Sequence, residues 1–173
     1  MGLLADMELA PIEANAVQRA LQRFGGTAFG TAVISGVIGP LDRMVHRSTQ
    51  GRATAGSLFG AMPVVMLTTV GARSGEKRVQ PLNAIPHEGD VALVGTNFGS
   101  GKVPAWAHNL RATPEATLTY GDRELAVVAT EIEEAEHDRV FAAAIRIYAG
   151  YARYRREATN DIPIFHLKAK GPE

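Results

Sequence analysis

From Pro63 onward the chain is cut into short apolar runs by short turns, and this spacing limits the fold more than any other feature. PVVMLTTV (63–70), RVQPLNAI (78–85), VALVGTN (91–97), ATLTY (116–120), ELAVVATEI (124–132) and IPIFHLKA (162–169) are rich in β-branched and apolar residues. Such runs read as strands. The turns between the first three are GARSGEK (71–77) and PHEGD (86–90), and GDR joins the ATLTY and ELAVVATEI runs. Connections this short make hairpins, so the expected sheet is antiparallel. Two helices interrupt it. PAWAHNLRA (104–112) places proline at a helix start. EEAEHDRVFAAAIRIYAGY (133–151) has apolar residues at three- and four-residue steps and acidic residues in its first turns, with Gly150 poised to break it. The expected class is α+β: a small barrel with packed helices over residues 61–173.

Residues 1–60 read differently. IEANAVQRALQR (12–23) has helical spacing, residues 31–48 suggest a second, Gly-interrupted helix, and 49–61 are small, polar or glycine-rich. We expect a helical extension that leads into the barrel. Residues 24–41 carry no charge, yet they contain five glycines and Pro40. A packed or interfacial helix suits them better than a spanning one. No basic stretch leads into an apolar core near the start, so the expected location is the cytoplasm, with peripheral contact at the inner membrane face through 24–41.

The 173 residues are enough for one self-supporting core. Cysteine is absent, which excludes disulfides, zinc–thiolate sites and iron–sulfur clusters. Eighteen basic residues balance eighteen acidic ones, so the basic excess of a nucleic-acid binder is missing. The five histidines (46, 87, 108, 137 and 166) show no His-x-x-x-His spacing, and no metal site is expected from them.

Four groups of residues could carry chemistry. The turn Gly71–Arg78 sets Arg73, Lys77 and Arg78 beside Ser74 and two glycines, a mixture that suits a phosphate. Read alone, it is equally a solvated hairpin turn. Gly95–Lys102 is a glycine-rich loop between a strand and a helix, which favours anions at the helix start; alone it is better read as a flexible loop. Trp106 and Asn109 share a face of the short helix, with a core anchor the simpler role for the tryptophan. Tyr148, Tyr151 and Tyr154 recur at steps of three, and a tyrosine hydroxyl can orient or protonate a substrate. The same stripe could be an amphipathic face.

The order L-T-T-x-G-x-x-S-G, R-x-x-P-L, a glycine loop and P-x-W-x-x-N-L-x-A-x-P, followed by the three tyrosines and Ile162-Pro163, resembles the deazaflavin (F420)-dependent nitroreductase family of actinobacteria. The resemblance runs over about residues 41–168. It implies a split β-barrel of the flavin-reductase kind and the coenzyme F420, an 8-hydroxy-5-deazaflavin with a phosphate and an oligoglutamate tail. Arg73, Ser74, Gly75, Arg78, Val79 and Pro81 would hold the phosphate side. Thr96, Asn97, Lys102, Ala105, Trp106 and Asn109 would line the deazaflavin and its chain. Tyr148, Tyr151 and Tyr154 would face the substrate, with Tyr151 the catalytic hydrogen-bond donor. The implied reaction delivers a hydride to an activated double bond, a quinone or a nitro group of a small molecule. An FMN-dependent reductase of the same fold and a non-catalytic coenzyme-binding protein stay open as alternatives.

Overall fold

The computed structural model describes residues 2–9 and 63–171. The expected helices at 12–23 and 31–48 and the interfacial stretch 24–41 lie outside the described residues. In chain order the described elements are α1 (Leu3–Asp6), β1 (Val64–Val70), β2 (Lys77–Asn83), β3 (Ile85–His87), β4 (Asp90–Val94), α2 (Ala105–Ala112), β5 (Glu115–Tyr120), β6 (Arg123–Glu131), α3 (Glu134–Ile147), α4 (Gly150–Glu157) and β7 (Ile164–Ala169).

The seven strands form one antiparallel sheet in the order β2-β1-β5-β6-β7-β4-β3. Its two edges are β2 and β3, and these are consecutive in the chain with only Ala84 between them. A flat sheet would hold its edges far apart. The single-residue link forces the sheet to curl until they are neighbours, which makes it a barrel split along one seam. The sequence suggested one return strand over 78–85. The structure divides it at Ala84, whose N–H donates to Pro63 O at 2.8 Å. That bond turns the chain from one edge of the sheet to the other. The third run is shorter than expected: β4 ends at Val94, and Asn97–Gly99 make a turn of 3-10 helix.

Inside the curl, Val65, Leu67, Val91, Leu93, Leu118, Val127, Phe165 and Leu167 form the main core. Each is almost fully buried, a gain of about 1.5–3 kcal/mol per large apolar side chain. Trp106 and Leu110 of α2 join it. Leu3 and Met7 join it too, so the first described residues dock on the barrel. The Leu3 N–H donates to Asp90 Oδ1 at 2.7 Å, and Arg123 holds Asp6 O and the Glu8 carboxylate.

A second core lies on the outer face of β3, β4 and β7. Alternation puts Ile85, Ala92, Val94 and Ile164 there, under Val140, Phe141 and Ala144 of α3. Because β4 and β7 are covered on both faces, they read as nearly continuous apolar runs. The helix expected over 133–151 stops at Ile147. Tyr148 is extended, and the chain restarts as α4 at Gly150.

Candidate functional site

The basic turn joins β1 to β2. Gly71 N–H donates to Glu76 O and Gly75 N–H to Gly71 O, both at 2.8 Å. Ser74 Oγ accepts from the Glu76 N–H at 3.3 Å. Arg73, Ser74, Gly75 and Arg78 are exposed. Arg78 pairs with Glu76 at 2.7 Å in the open. Arg73 and Lys77 have no carboxylate partner among the described residues. The turn therefore presents two uncommitted cations and a hydroxyl to solvent.

Asn109 holds this turn to the barrel. It is 7% exposed. Its Oδ1 accepts from the Ala72 N–H at 3.0 Å, and its Nδ2 donates to the buried Thr69 Oγ1 at 3.0 Å. Both ends of the amide are used by protein, so Asn109 fixes the turn and has no amide atom left over for a direct contact. Trp106 is 6% exposed and packs edge-on to Phe165 with ring centroids 5.8 Å apart. Its place is the core, the simpler of its two expected roles. Ala105, one residue earlier, is exposed at the helix start.

The glycine loop faces the segment after α4. Thr96, Gly99, Gly101 and Lys102 line a small surface hollow with Ala158, Asn160 and Ile162. Asn160 Nδ2 donates to Gly101 O at 2.6 Å, and Asn97 Nδ2 to Lys102 O at 3.3 Å. A Cβ at Gly101 would sit 2.9 Å from Thr159 Oγ1, at a φ of +68°. Close packing accounts for that glycine as well as any anion would. Lys102 is exposed above the hollow.

The three tyrosines meet as one cluster, with ring centroids 6.1–6.2 Å apart. They do so through the break between α3 and α4, and only Tyr151 and Tyr154 lie on a helix. Tyr148 folds over Gly150, where a Cβ would lie 2.3 Å from the Tyr148 ring. Tyr151 is 5% exposed and Tyr148 half-buried, so Tyr148 is the more open of the two. Burial pushes the Tyr151 phenol up to about 12, against a smaller opposing effect from its hydrogen bond to Asn83. It stays protonated at any physiological pH.

Two residues join the site without a motif to announce them. Asn83, at the end of β2, donates from Nδ2 to Tyr151 Oη at 3.3 Å. Phe98 is 56% exposed at a φ of +57°, next to Gly99, which packs on Tyr154. Alternation along β2 puts Val79, Pro81 and Asn83 on one face and Arg78 on the other. Val79 is 48% exposed on that face. An open strip of about 20 Å thus runs from the basic turn along β2 to the tyrosines.

An open antiparallel barrel with a cationic turn at one end of its edge strand and a phenol cluster at the other defines a split-barrel oxidoreductase. The chain belongs to the F420H(2)-dependent quinone reductase family, whose pattern matches residues 41–169. It is 29% identical over 129 residues to the F420H(2)-dependent quinone reductase of Mycobacterium tuberculosis H37Rv, covering 71% of this chain and 84% of that protein. Among solved structures, it is similar to an F420-H2 dependent reductase, FDR-A. The two are 35% identical with a TM-score of 0.55, over 61% of this chain and 93% of that one. A second structure, described as a domain-swapped dimer, is 32% identical with a TM-score of 0.57, over 72% of this chain and 94% of the other. Among the described residues no helix is long and apolar enough to cross a membrane.

Proposed function

We propose that this chain is a reductase that uses reduced coenzyme F420 to reduce quinones, and that the coenzyme lies along the β2 strip. The observation that carries the reading is the Asn83–Tyr151 hydrogen bond, which seats the edge strand against the tyrosine cluster. The residues fit a long anionic coenzyme. Arg73 and Lys77 are open cations at one end, in a turn whose backbone Asn109 fixes. Val79 and Pro81 give an apolar track, while Thr96 and Lys102 line the separate hollow of the glycine loop. When bound, the reduced coenzyme supplies a hydride.

The protein supplies position and a proton. Arg73, Lys77 and Arg78 neutralise phosphate and carboxylates, and the Ser74 hydroxyl adds a neutral donor beside them. Asn83 donates to Tyr151 Oη, which leaves the phenol's own O–H free to point at an acceptor oxygen. Tyr148 and Phe98 border the acceptor and keep water from it. Tyr151 then gives its proton to the quinone oxygen that gains negative charge, and solvent returns one afterwards. Peripheral contact with a membrane belongs to this proposal as the natural source of an apolar quinone.

Fluorescence titration with F420, with FMN in parallel, tests the reading. Saturable binding of F420 in preference to FMN, followed by coenzyme oxidation on adding a naphthoquinone, is expected. Binding of FMN alone would overturn the cofactor assignment. F420 binding without turnover on any quinone or enone would overturn the enzyme assignment.

A further inference from the structure

Three strands bring two histidines together at the end of the barrel away from the glycine loop. Ala92 of β4 is in register with Ile85 of β3 and His166 of β7, and His87 pairs with Asp90 two residues along. Residues two apart share a face, so His87, Asp90 and His166 all lie on the side that α3 covers. The two imidazoles meet edge to face with centroids 4.9 Å apart. Glu88, in the tight β3–β4 turn, adds a carboxylate. One ligand atom from each of His87, Glu88 and His166 lies within 4.8 Å of the others.

Two observations point beyond an ordinary polar cluster. His87 is 5% exposed, and its Nε2 is buried with no hydrogen-bond partner among the described residues. A buried ring nitrogen left alone is costly, and native cores seldom tolerate one unless something binds it. His166 has its support in place: one ring nitrogen, Nε2, is 3.2 Å from Asp90 Oδ2, while Asp90 Oδ1 is held by the Leu3 N–H. A carboxylate gripping one ring nitrogen orients the imidazole and strengthens the other as a donor, the arrangement found behind metal-bound histidines. Among the described residues, Glu88 is engaged only by Arg139, at 3.4 Å and in the open. An exposed pair of this kind is readily exchanged for a metal bond.

We infer that His87, His166 and Glu88 form a site for one divalent first-row transition ion, with Zn2+ the best fit to two imidazoles and a carboxylate. A tetrahedral site with bonds of about 2.1 Å sets its ligand atoms roughly 3.4 Å apart. Side-chain rotation closes that gap without moving a strand, and water fills the fourth position. Lys168, on the same face of β7, is exposed and free to turn away. The site lies at the start of β4, about 16 Å along the strand from Gly95. The ion therefore staples the edge strand β3 to β7 and takes no part in hydride transfer.

The test is calorimetry and thermal unfolding of the metal-free full chain with ZnCl2, with Co2+ as a spectroscopic probe. One Zn2+ per chain, a raised Tm and the intense visible bands of low-coordinate Co2+ are expected. His87→Gln should abolish binding, and Glu88→Gln should weaken it at least tenfold. His108→Gln, on the exposed face of α2, should leave it unchanged. Glu88 is exposed, so its variant keeps the test valid if the His87 variant fails to fold. Absence of saturable binding to millimolar Zn2+, or equal binding by wild type and Glu88→Gln, would overturn the site.

Discussion

Replacing Asn109 with alanine should cost stability and coenzyme affinity together. Its amide makes two hydrogen bonds of 3.0 Å, to Thr69 Oγ1 and from the Ala72 N–H. Thr69 is 2% exposed, so its hydroxyl has no ready replacement from water, whereas the Ala72 N–H lies in the exposed turn. Each bond contributes about 1 kcal/mol net, and the stranded Thr69 hydroxyl raises the total to about 2–3 kcal/mol. For a chain of this size each kcal/mol moves Tm by about 2–4 °C, so a fall of roughly 5–10 °C is expected. Thr69→Val should cost less, since it breaks one bond. The double variant should fall short of the sum of the two, by about 1 kcal/mol of coupling. The same change releases the turn that carries Arg73 and Lys77. F420 affinity measured by fluorescence should therefore drop several-fold even at a temperature where the variant is fully folded. A Tm within about 2 °C of wild type, or an unchanged coenzyme Kd in the folded variant, would refute the claim that Asn109 fixes the turn.

Tyr151→Phe removes the proposed proton donor but keeps the ring. Turnover with a naphthoquinone should fall about a hundredfold or more, while the F420 Kd stays the same; unchanged turnover would remove Tyr151 from the chemistry. Tyr151 ionises at about 12 in the fold, above its ordinary value of 10.0. A raised pKa means its stabilising contribution is complete below pH 10 and is lost as pH rises through 12. The loss is about 2–3 kcal/mol. Ultraviolet titration should show a tyrosine ionising near pH 12, and Tyr151→Phe should remove that step and flatten the alkaline loss of stability. Arg73→Ala should weaken F420 binding and lessen its salt dependence, with little effect on Tm; equal affinity would place the phosphate elsewhere.

The strands were readable because β-branched runs between short turns admit few other structures. Their exact division was less so. Nothing in RVQPLNAI marks Ala84 as the corner, because the corner is imposed by closure of the sheet and a bond from Pro63. The break after Ile147 had a local cause in Gly150, but the demand for glycine comes from the Tyr148 ring folding back over it. Trp106 points into the core because α2 packs its Trp106–Leu110 face on the barrel while its other face stays exposed. Asn83 and the His87–His166 pair left no mark at all. Asn83 meets Tyr151 68 residues away, and register alone brings the histidines together. Of the extension expected over residues 1–60, the described residues 2–9 place Leu3 and Met7 in the core, which no pattern in the sequence announced.

The two sheet edges carry one more consequence. An open strand edge invites other chains to add to it, which is the usual beginning of sheet-to-sheet aggregation. Both edges here contain a proline, Pro81 in β2 and Pro86 in β3. Proline has no N–H to offer, and β2 begins with Lys77 and Arg78, which repel a second copy of themselves. The open seam between β2 and β3 is thereby kept from zipping onto a neighbour. Replacing either proline should be tolerated by the single molecule and punished in concentrated solution.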